Sequence, residues 1–413
     1  MPYDRDPLVS VILPTFNRSS YLRQALDSVL NQTFEDFEVL VVDDGSTDNT
    51  ARVVRAIDDP RVRYVYQQNA GRSAARNRGL ENARGDLIAF LDDDDEYLPH
   101  KLACQVRYLE NRPAIDLVAS GTQVIDANGT PRTILRGWQD QPSLTLLRCL
   151  DACPLPPSTV LLRRRALDRL DYWFDVKMDL AEDTDLFIRM LLVGCRMAWL
   201  PRVVSARRLP TRRHNGQLDG SGYGRAYVRL LDKLFGRRDV PEQLLARRKR
   251  LYARYYLTGA CHAYADHHVE VGQTYLLRAL DLCPDLARGN VPMVVSHVAA
   301  FAGTVWITEP HAYIKFMFDH LPGEVSSLAQ YRNMGLSAFH MGRLFKAHEA
   351  GGPLSLSDWL LGVYYAPRWL CNRGVWSILA RGLADAIPWC RGYRQALGHT
   401  PTEDQDTADL CPR

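Results

Sequence analysis

Four carboxylates stand in a row at Asp92-Asp93-Asp94-Asp95. Charges this close disfavour one another's ionised form unless something cationic sits among them. A hard divalent cation takes oxygen ligands and can share them with phosphate oxygens. Mg²⁺ or Mn²⁺ holding a diphosphate is therefore the chemistry that such a run suits. The competing use is an acidic cap that opens a helix, where the dipole favours Asp. Two more polar clusters are Pro14-Thr-Phe-Asn17 and Asp43-Asp44-Gly45-Ser46. Acidic residues recur at Asp179, Asp183 and Asp185, and His214 lies in Arg212-Arg-His-Asn-Gly216.

These clusters need elements that bring them together. Residues 8–13 are a β-branched run ended by Pro14, and residues 38–42 are a second run ended by Asp43. Between them Tyr21, Leu22, Ala25, Leu26, Val29 and Leu30 recur at helical spacing. Strand character returns at 62–66 and at 86–91, the latter stopped by the aspartate run. Helices are predicted over 50–57 and 71–82, and from Pro99, which can open a helix, to about 110. Strands alternating with helices at this interval form βαβ units. The fold class is α/β: a Rossmann-like, mostly parallel sheet with flanking helices. Ligands of such sheets gather at the carboxyl ends of the strands, where all three polar clusters fall.

After residue 115 the rhythm changes. Asp126-Ala-Asn-Gly129 predicts the turn of a hairpin within 118–134, strands follow at 158–162 and 196–200, and a helix covers 186–193. The glycine-rich polar stretch 212–224 reads as a mobile loop, and from 225 onward the chain reads as helical. The expected organisation is a catalytic domain over 1–224, a helical domain over 225–398 and a polar tail over 399–413.

Composition narrows the classes. The 413 residues are 46% hydrophobic and 24% charged, which is ordinary for globular domains and long enough for two. Lys and Arg number 51 against 48 Asp and Glu, too even a balance to suggest nucleic acid as a partner. Nine cysteines form no paired thiolate motif, and the first residues lack an apolar leader; reduced thiols in a cytoplasmic protein are expected. The apolar window 291–307 is short for a membrane span and contains Pro292, so a buried helix is expected there. Arg237, Arg238 and the basic run 247–250 share their region with Leu244, Leu245 and Leu251. That mixture suits either peripheral contact with an anionic membrane or a solvated helix face. No Gly-x-Gly-x-x-Gly follows the first strand and no glycine-rich Lys-Ser/Thr phosphate loop occurs, which removes nucleotide-dependent dehydrogenases and P-loop enzymes.

Several segments resemble family 2 glycosyltransferases. They are residues 8–16, Ser28-Val-Leu-Asn-Gln-Thr-Phe34, Val41-Val-Asp-Asp-Gly-Ser-Thr-Asp48 and Asn69-Ala-Gly-Arg-Ser-Ala-Ala-Arg-Asn-Arg-Gly79. Gly85-Asp-Leu-Ile-Ala-Phe-Leu-Asp-Asp-Asp-Asp95 and Ala181-Glu-Asp-Thr-Asp-Leu-Phe-Ile-Arg189 continue the series. The likeness covers roughly residues 7–215, about half the chain, with the motifs in the expected order. It implies a GT-A fold, a nucleotide-sugar donor, a divalent cation and inversion at the anomeric carbon.

The resemblance also implies roles. Asp44, with Asp43 beside it, matches the aspartate that meets a uracil ring; Thr15 lines the base and ribose pocket, with Pro14 and Asn17 in its turn. Arg72 and Arg76 would approach the nucleotide, or serve as solvated helix charges. Asp92 and Asp94 match the Asp-x-Asp motif, Asp94 as metal ligand and Asp92 toward the ribose or the metal's water shell. Asp93 occupies a position of less constant role, and His214 would lie beside the diphosphate or metal. Asp183 matches the catalytic base. Inversion needs one carboxylate near the acceptor hydroxyl, opposite a leaving group that departs as an anion. The implied reaction is transfer from a UDP-sugar, with dTDP or GDP as alternative bases, to a glycan, lipid-linked or other glycoconjugate acceptor. A nucleotidyltransferase and an inactive scaffold are the competing readings.

Overall fold

The first two apolar runs become β1 (Val9–Thr15) and β2 (Phe37–Asp43), each buried along its whole length. Strands covered on both faces carry near-continuous apolar residues. The polar exceptions satisfy each other: Ser10 Oγ donates to Glu38 Oε1 at 2.7 Å, and Arg63 donates to Glu38 Oε2 at 2.5 Å. The computed structural model describes residues 6–209, 220–349, 354–376 and 378–379. The chain divides into two compact units between residues 215 and 216.

The other strands of the first unit are β3 (Val62–Tyr66), β4 (Leu87–Phe90), β5 (Glu96–Tyr97) and β6 (Leu117–Ile125). They are completed by β7 (Pro131–Leu135), β8 (Val160–Arg163) and β9 (Met197–Arg208). The sheet order is β3-β2-β1-β4-β8-β6-β9-β5, with β7 paired to β6. Its first half, β3-β2-β1-β4, is parallel. Beyond it β8 runs antiparallel to both β4 and β6, and β9 returns parallel to β6. The parallel half is the βαβ region expected from sequence.

Helices α1 (Ser19–Leu30), α2 (Thr50–Arg55), α3 (Arg72–Asn82) and α4 (Lys101–Glu110) connect the early strands. The short α5 (Gly137–Asp140), α6 (Leu146–Asp151) and α7 (Arg164–Leu167) precede α8 (Glu182–Leu192). In α1 the buried residues are Leu22, Ala25, Leu26 and Val29, the single stripe that the 3.6-residue period predicts.

Three local expectations change. Pro14 does not end β1, which runs on to Thr15; β4 pairs with β1 only as far as Ile12, so the missing N–H of Pro14 leaves no gap on that side. The strand expected to stop at 200 continues to Arg208. The β6–β9 register shifts between Ala119↔Trp199 and Gly121↔Val203, which absorbs Pro201 as an irregularity. The two-residue β5, which carries too few residues to show a period, pairs with β9.

The second unit is helical: α9 (Gly220–Phe235), α10 (Glu242–Ala265), α11 (Val269–Leu282), α12 (Met293–Ala302) and α13 (Pro310–Asp319). It continues through α14 (Arg332–Glu349) and α15 (Leu356–Tyr365). Part of the stretch read as a glycine-rich loop is helix from Gly220, so the boundary placed at 224 falls inside α9. The reason is packing. A Cβ at Gly259 of α10 would stand 2.8 Å from Gly224 Cα of α9, and one at Gly224 would stand 2.4 Å from the Tyr275 ring of α11. These two glycines let three helices approach; they do not loosen the chain.

The apolar window 291–307 contains α12, whose Val294, Val295, Val298 and Ala302 are buried in the helical core. No helix among the described residues is long and apolar enough to cross a membrane. In the basic region Leu244 and Leu251 point into the core of this unit, and Leu245 alone of the three is exposed. The remaining expectations for 210–219 and 399–413, His214 among them, lie outside the described residues.

Candidate active site

The carboxyl ends of β1, β2 and β4 and the first turns of α3 and α8 bring the acidic clusters together. Gly45, with φ +83°, turns the chain after β2, and a Cβ there would stand 2.7 Å from Asn69 N. Asp43 Oδ1 accepts from Ser46 N at 2.8 Å and Oδ2 from Tyr64 Oη at 2.5 Å. Asp44 binds the segment leading into α3: Oδ1 accepts from Gln67 Nε2 at 2.7 Å and Ala70 N at 2.9 Å, and Oδ2 from Gly71 N at 2.9 Å. A carboxylate offers about four lone-pair sites, so roughly one acceptor position is left on Asp44.

Asn17 follows β1 with φ 52°, a left-handed conformation that Asn tolerates better than most residues. Its N–H donates to Ser46 Oγ at 2.9 Å, and its Oδ1 accepts from Thr47 N at 2.8 Å. This locks the end of β1 to the turn after β2 and aims Thr15 and Arg18 at the aspartates. Thr15 Oγ1 donates to Asp93 Oδ2 at 2.8 Å. Arg18 Nη1 lies 3.3 Å from Asp93 Oδ1 and also pairs with Asp94 Oδ2.

The four aspartates alternate. Asp93 and Asp95 are buried, whereas the side chains of Asp92 and Asp94 stay 31% and 22% exposed on the open side. Burial pushes the Asp93 carboxyl up to about 7 against the pull of Arg18. Burial, with Asp92 and Asp94 nearby, pushes Asp95 up to about 8, although Ser158 Oγ donates to it at 2.8 Å and Arg208 N at 3.1 Å. Asp92 moves the other way: burial opposes ionisation, but Arg76 and Arg72 outweigh it and hold the carboxyl low.

Arg76 is the largest fully buried side chain of the unit. Its Nη2 donates to Asp92 Oδ1 at 2.7 Å and its Nη1 to Glu182 Oε1 at 2.5 Å, with the guanidinium over the Phe174 ring. Arg72 Nη1 stands 3.5 Å from the same Glu182 oxygen. Burial removes the solvated alternative for Arg76, which is an internal strut between the end of β4 and α8; Arg72 is the exposed one of the two.

Ala181, immediately before α8, has φ 59°, an uncommon conformation for a residue with a Cβ and one that clusters at functional sites. It presents Glu182 inward to Arg76 and leaves Asp183 half-buried, with Oδ1 accepting from Thr184 N at 2.6 Å. Burial and the neighbouring Glu182 push the Asp183 carboxyl up to about 6, with Arg76 opposing. Asp185 is committed elsewhere, accepting from Arg189 Nε at 2.8 Å.

Asp92 and Asp94 offer hard oxygen donors on the open side of the cluster, which fits a divalent cation. Among the described residues no three His, Cys, Asp or Glu groups converge as a ready-made metal site. The chain would therefore contribute few ligands, leaving room for phosphate oxygens and water.

Three site residues were not singled out from sequence: Arg18, Glu182 and Arg208. Arg208 donates through Nε to Asp94 O at 3.3 Å and through Nη2 to Glu96 Oε1 at 2.7 Å. Its signal, an arginine pair at the end of a strand, was hidden by ending that strand at 200. Trp138 and Trp199 pack edge-on at 6.3 Å, and Trp199 Nε1 donates to Gln141 O.

The family model described as Glycosyl transferase family 2 matches residues 10–171. An uncharacterized glycosyltransferase of Methanocaldococcus jannaschii is 30% identical over 215 residues, 50% of this chain and 72% of that protein. Uncharacterized glycosyltransferases of Rickettsia bellii and Rickettsia typhi are 35% and 31% identical, over 38% and 46% of this chain. The chain spans only 23% and 60% of the length of those two relatives. Among solved structures, S. aureus TarS 1-349 in complex with UDP-GlcNAc aligns with TM-score 0.52 at 19% identity, over 84% of this chain and 92% of that one. The mannosyltransferase PcManGT from Pyrobaculum calidifontis, in complex with GDP-Man and Mn²⁺, aligns with TM-score 0.50 at 21% identity, over 79% and 88%. The shared fold is GT-A-like, and the family model and the sequence relatives show that this chain belongs to glycosyltransferase family 2.

Proposed function

We propose that the chain transfers a sugar from a UDP-linked donor to a hydroxyl of a glycan, lipid-linked or other glycoconjugate acceptor, with inversion and with help from Mn²⁺ or Mg²⁺. The observation that carries this reading is the Arg76 strut. One buried guanidinium holds Asp92 of the aspartate run on one side and Glu182, next to Asp183, on the other. The expected donor and base carboxylates are thus fixed relative to each other by a single rigid group.

In this reading Asp44, stabilised by the 67–71 segment, takes a base N–H on its remaining acceptor position, and Asp43 stiffens the turn behind it. Thr15, Pro14 and Asn17 shape the wall of the nucleoside pocket. The cation, held by Asp94 with Asp92 beside it, would neutralise charge gathering on the departing diphosphate. Asp183 takes the acceptor proton. A carboxyl raised to about 6 is ionised at neutral pH yet more basic than an ordinary one, which suits a general base. The helical unit is assigned acceptor recognition.

UDP-GlcNAc on TarS and GDP-Man on PcManGT are the two donor types that the related folds suggest. The test is a panel of UDP-, GDP- and dTDP-sugars scored for nucleoside diphosphate release, with Mn²⁺, Mg²⁺ or EDTA. Release from a UDP-sugar, at least about tenfold lower in Asp94→Asn, is expected. Release from GDP-sugars alone would move the donor assignment. Pyrophosphate release from a nucleoside triphosphate with a sugar phosphate would replace glycosyl transfer by nucleotidyl transfer.

A further inference from the structure

Arg76 and Arg18 both neutralise the aspartate run, but they are held differently. The Arg76 side chain is 1% exposed and clamped from two sides, so it cannot leave. The Arg18 side chain is 24% exposed and reaches the cluster from solvent. Its backbone is fixed: Arg18 is the residue that caps α1, and Asn17 before it is bonded to Ser46 and Thr47. The side chain makes no helix-capping bond, so the start of α1 does not depend on it. The Asp93 and Asp95 carboxylates have partners besides it, Thr15 Oγ1 and Arg208 N, and the Asp94 backbone is held through its carbonyl by Arg208 Nε.

Arg18 pairs with Oδ2 of Asp94, the residue assigned to the cation. A guanidinium and a divalent ion on one carboxylate repel each other and compete for the same lone pairs. We propose that Arg18 is a built-in counter-cation of the aspartate run, which the divalent ion must displace from Asp94, so that Arg18 weakens and gates cation binding. This rests on the assignment of Asp94 as a metal ligand. The arginine keeps the acidic cluster neutral before a donor arrives, and the cation takes over when it can also be held by diphosphate oxygens. Arg18 is a positioning residue; it acts through the occupancy of Asp94.

The experiment measures Mn²⁺ binding to the full chain, without nucleotide, from the electron paramagnetic resonance signal of the free ion. Arg18→Gln removes the charge and keeps a polar side chain; it should bind Mn²⁺ about tenfold more tightly, the scale expected for one partly exposed charge at contact distance. Arg18→Lys, which retains the charge, should stay within about threefold of the parent chain. Asp94→Asn should bind more weakly than the parent. If Arg18→Gln does not fold, Arg18→Met makes the same comparison. Unchanged or weaker binding in the uncharged variants, with Asp94→Asn still impaired, overturns the counter-cation role. Undiminished binding in Asp94→Asn overturns the ligand assignment itself.

Discussion

The two units bury polar groups in opposite ways. The first hides charges: Arg76 between two carboxylates, Asp185 with Arg189, and Lys101, whose Nζ donates to Gln105 Oε1 at 2.6 Å and Val160 O at 3.1 Å. Burial pushes that lysine down to about 7. Among the described residues the helical unit buries only Ser337, His340 and Asp358, and it otherwise has an apolar and aromatic interior. A histidine relay runs from Asp358 Oδ1 to His340 Nδ1 at 2.7 Å, and from His340 Nε2 to His311 Nε2 at 2.6 Å, tying α15, α14 and α13. Buried charge gains little stability over a well-packed apolar core, so its concentration at the end of one sheet points to a task. The helical unit shows no comparable interior.

The sharpest way to break this contrast is Asp183→Asn, which keeps shape and hydrogen bonding but removes the base. Transfer should fall by roughly 10²–10⁴-fold, with nucleotide affinity nearly unchanged. Stopped-assay turnover and calorimetric UDP binding on the same preparation separate the two. In the parent chain, turnover should rise with pH through about 6 as Asp183 gives up its proton. A flat profile there would remove the residue from the chemistry.

Next in size is Arg76→Met, which leaves Asp92 and Glu182 without their common partner. Removing one member of a buried ion pair costs about 3–5 kcal/mol, because the remaining charge stays desolvated. Hydrogen exchange should report that loss in β1, β2, β4 and α8 while α10 and α12 keep their protection. Equal loss in both units would mean that they unfold as one.

Gly259→Val probes the helical unit by packing alone. Its Cβ meets backbone at 2.8 Å, a clash that no rotamer relieves, so a loss of about 2 kcal/mol is expected in chemical denaturation. Donor affinity should not move.

The smallest effect is a pH dependence of opposite sign in the two units. Burial lowers His262 and His297 to about 4 from 6.5. A histidine harder to protonate when folded contributes fully above about pH 6.5 and loses that contribution as pH falls toward about 4. Both rings are partly exposed, so the loss between about pH 6.5 and about pH 5.5 should be near 1 kcal/mol. Asp93 and Asp95 have the reverse sign in the cation-free protein. Their folded values are raised, so their cost grows as pH climbs toward about 7 and about 8 and is relieved by acid. Hydrogen exchange at the two pH values should show α10 and α12 loosening while β4 does not.

Much of the first unit was legible in local spacing. The alternation of apolar runs with the stripe of Leu22, Ala25, Leu26 and Val29 determined the βαβ half, because strand and helix periods are properties of neighbouring residues. The aspartate run stood out for the same reason, whereas Asp183 was picked from its acidic neighbours by the family resemblance. Partners distant in the chain left no such trace. Nothing in residues 71–82 distinguishes Arg76, fully buried, from exposed Arg72 until Glu182, 106 positions away, is folded against it. Arg18 meets Asp93 across 75 positions, and Gly224 reads as loop composition until α10 is laid beside it. Sequence determined which residues carry charge and where the strands deliver them. Only the tertiary structure decided which charges are paired and which are buried, because pairing and desolvation depend on through-space neighbours that no local period encodes.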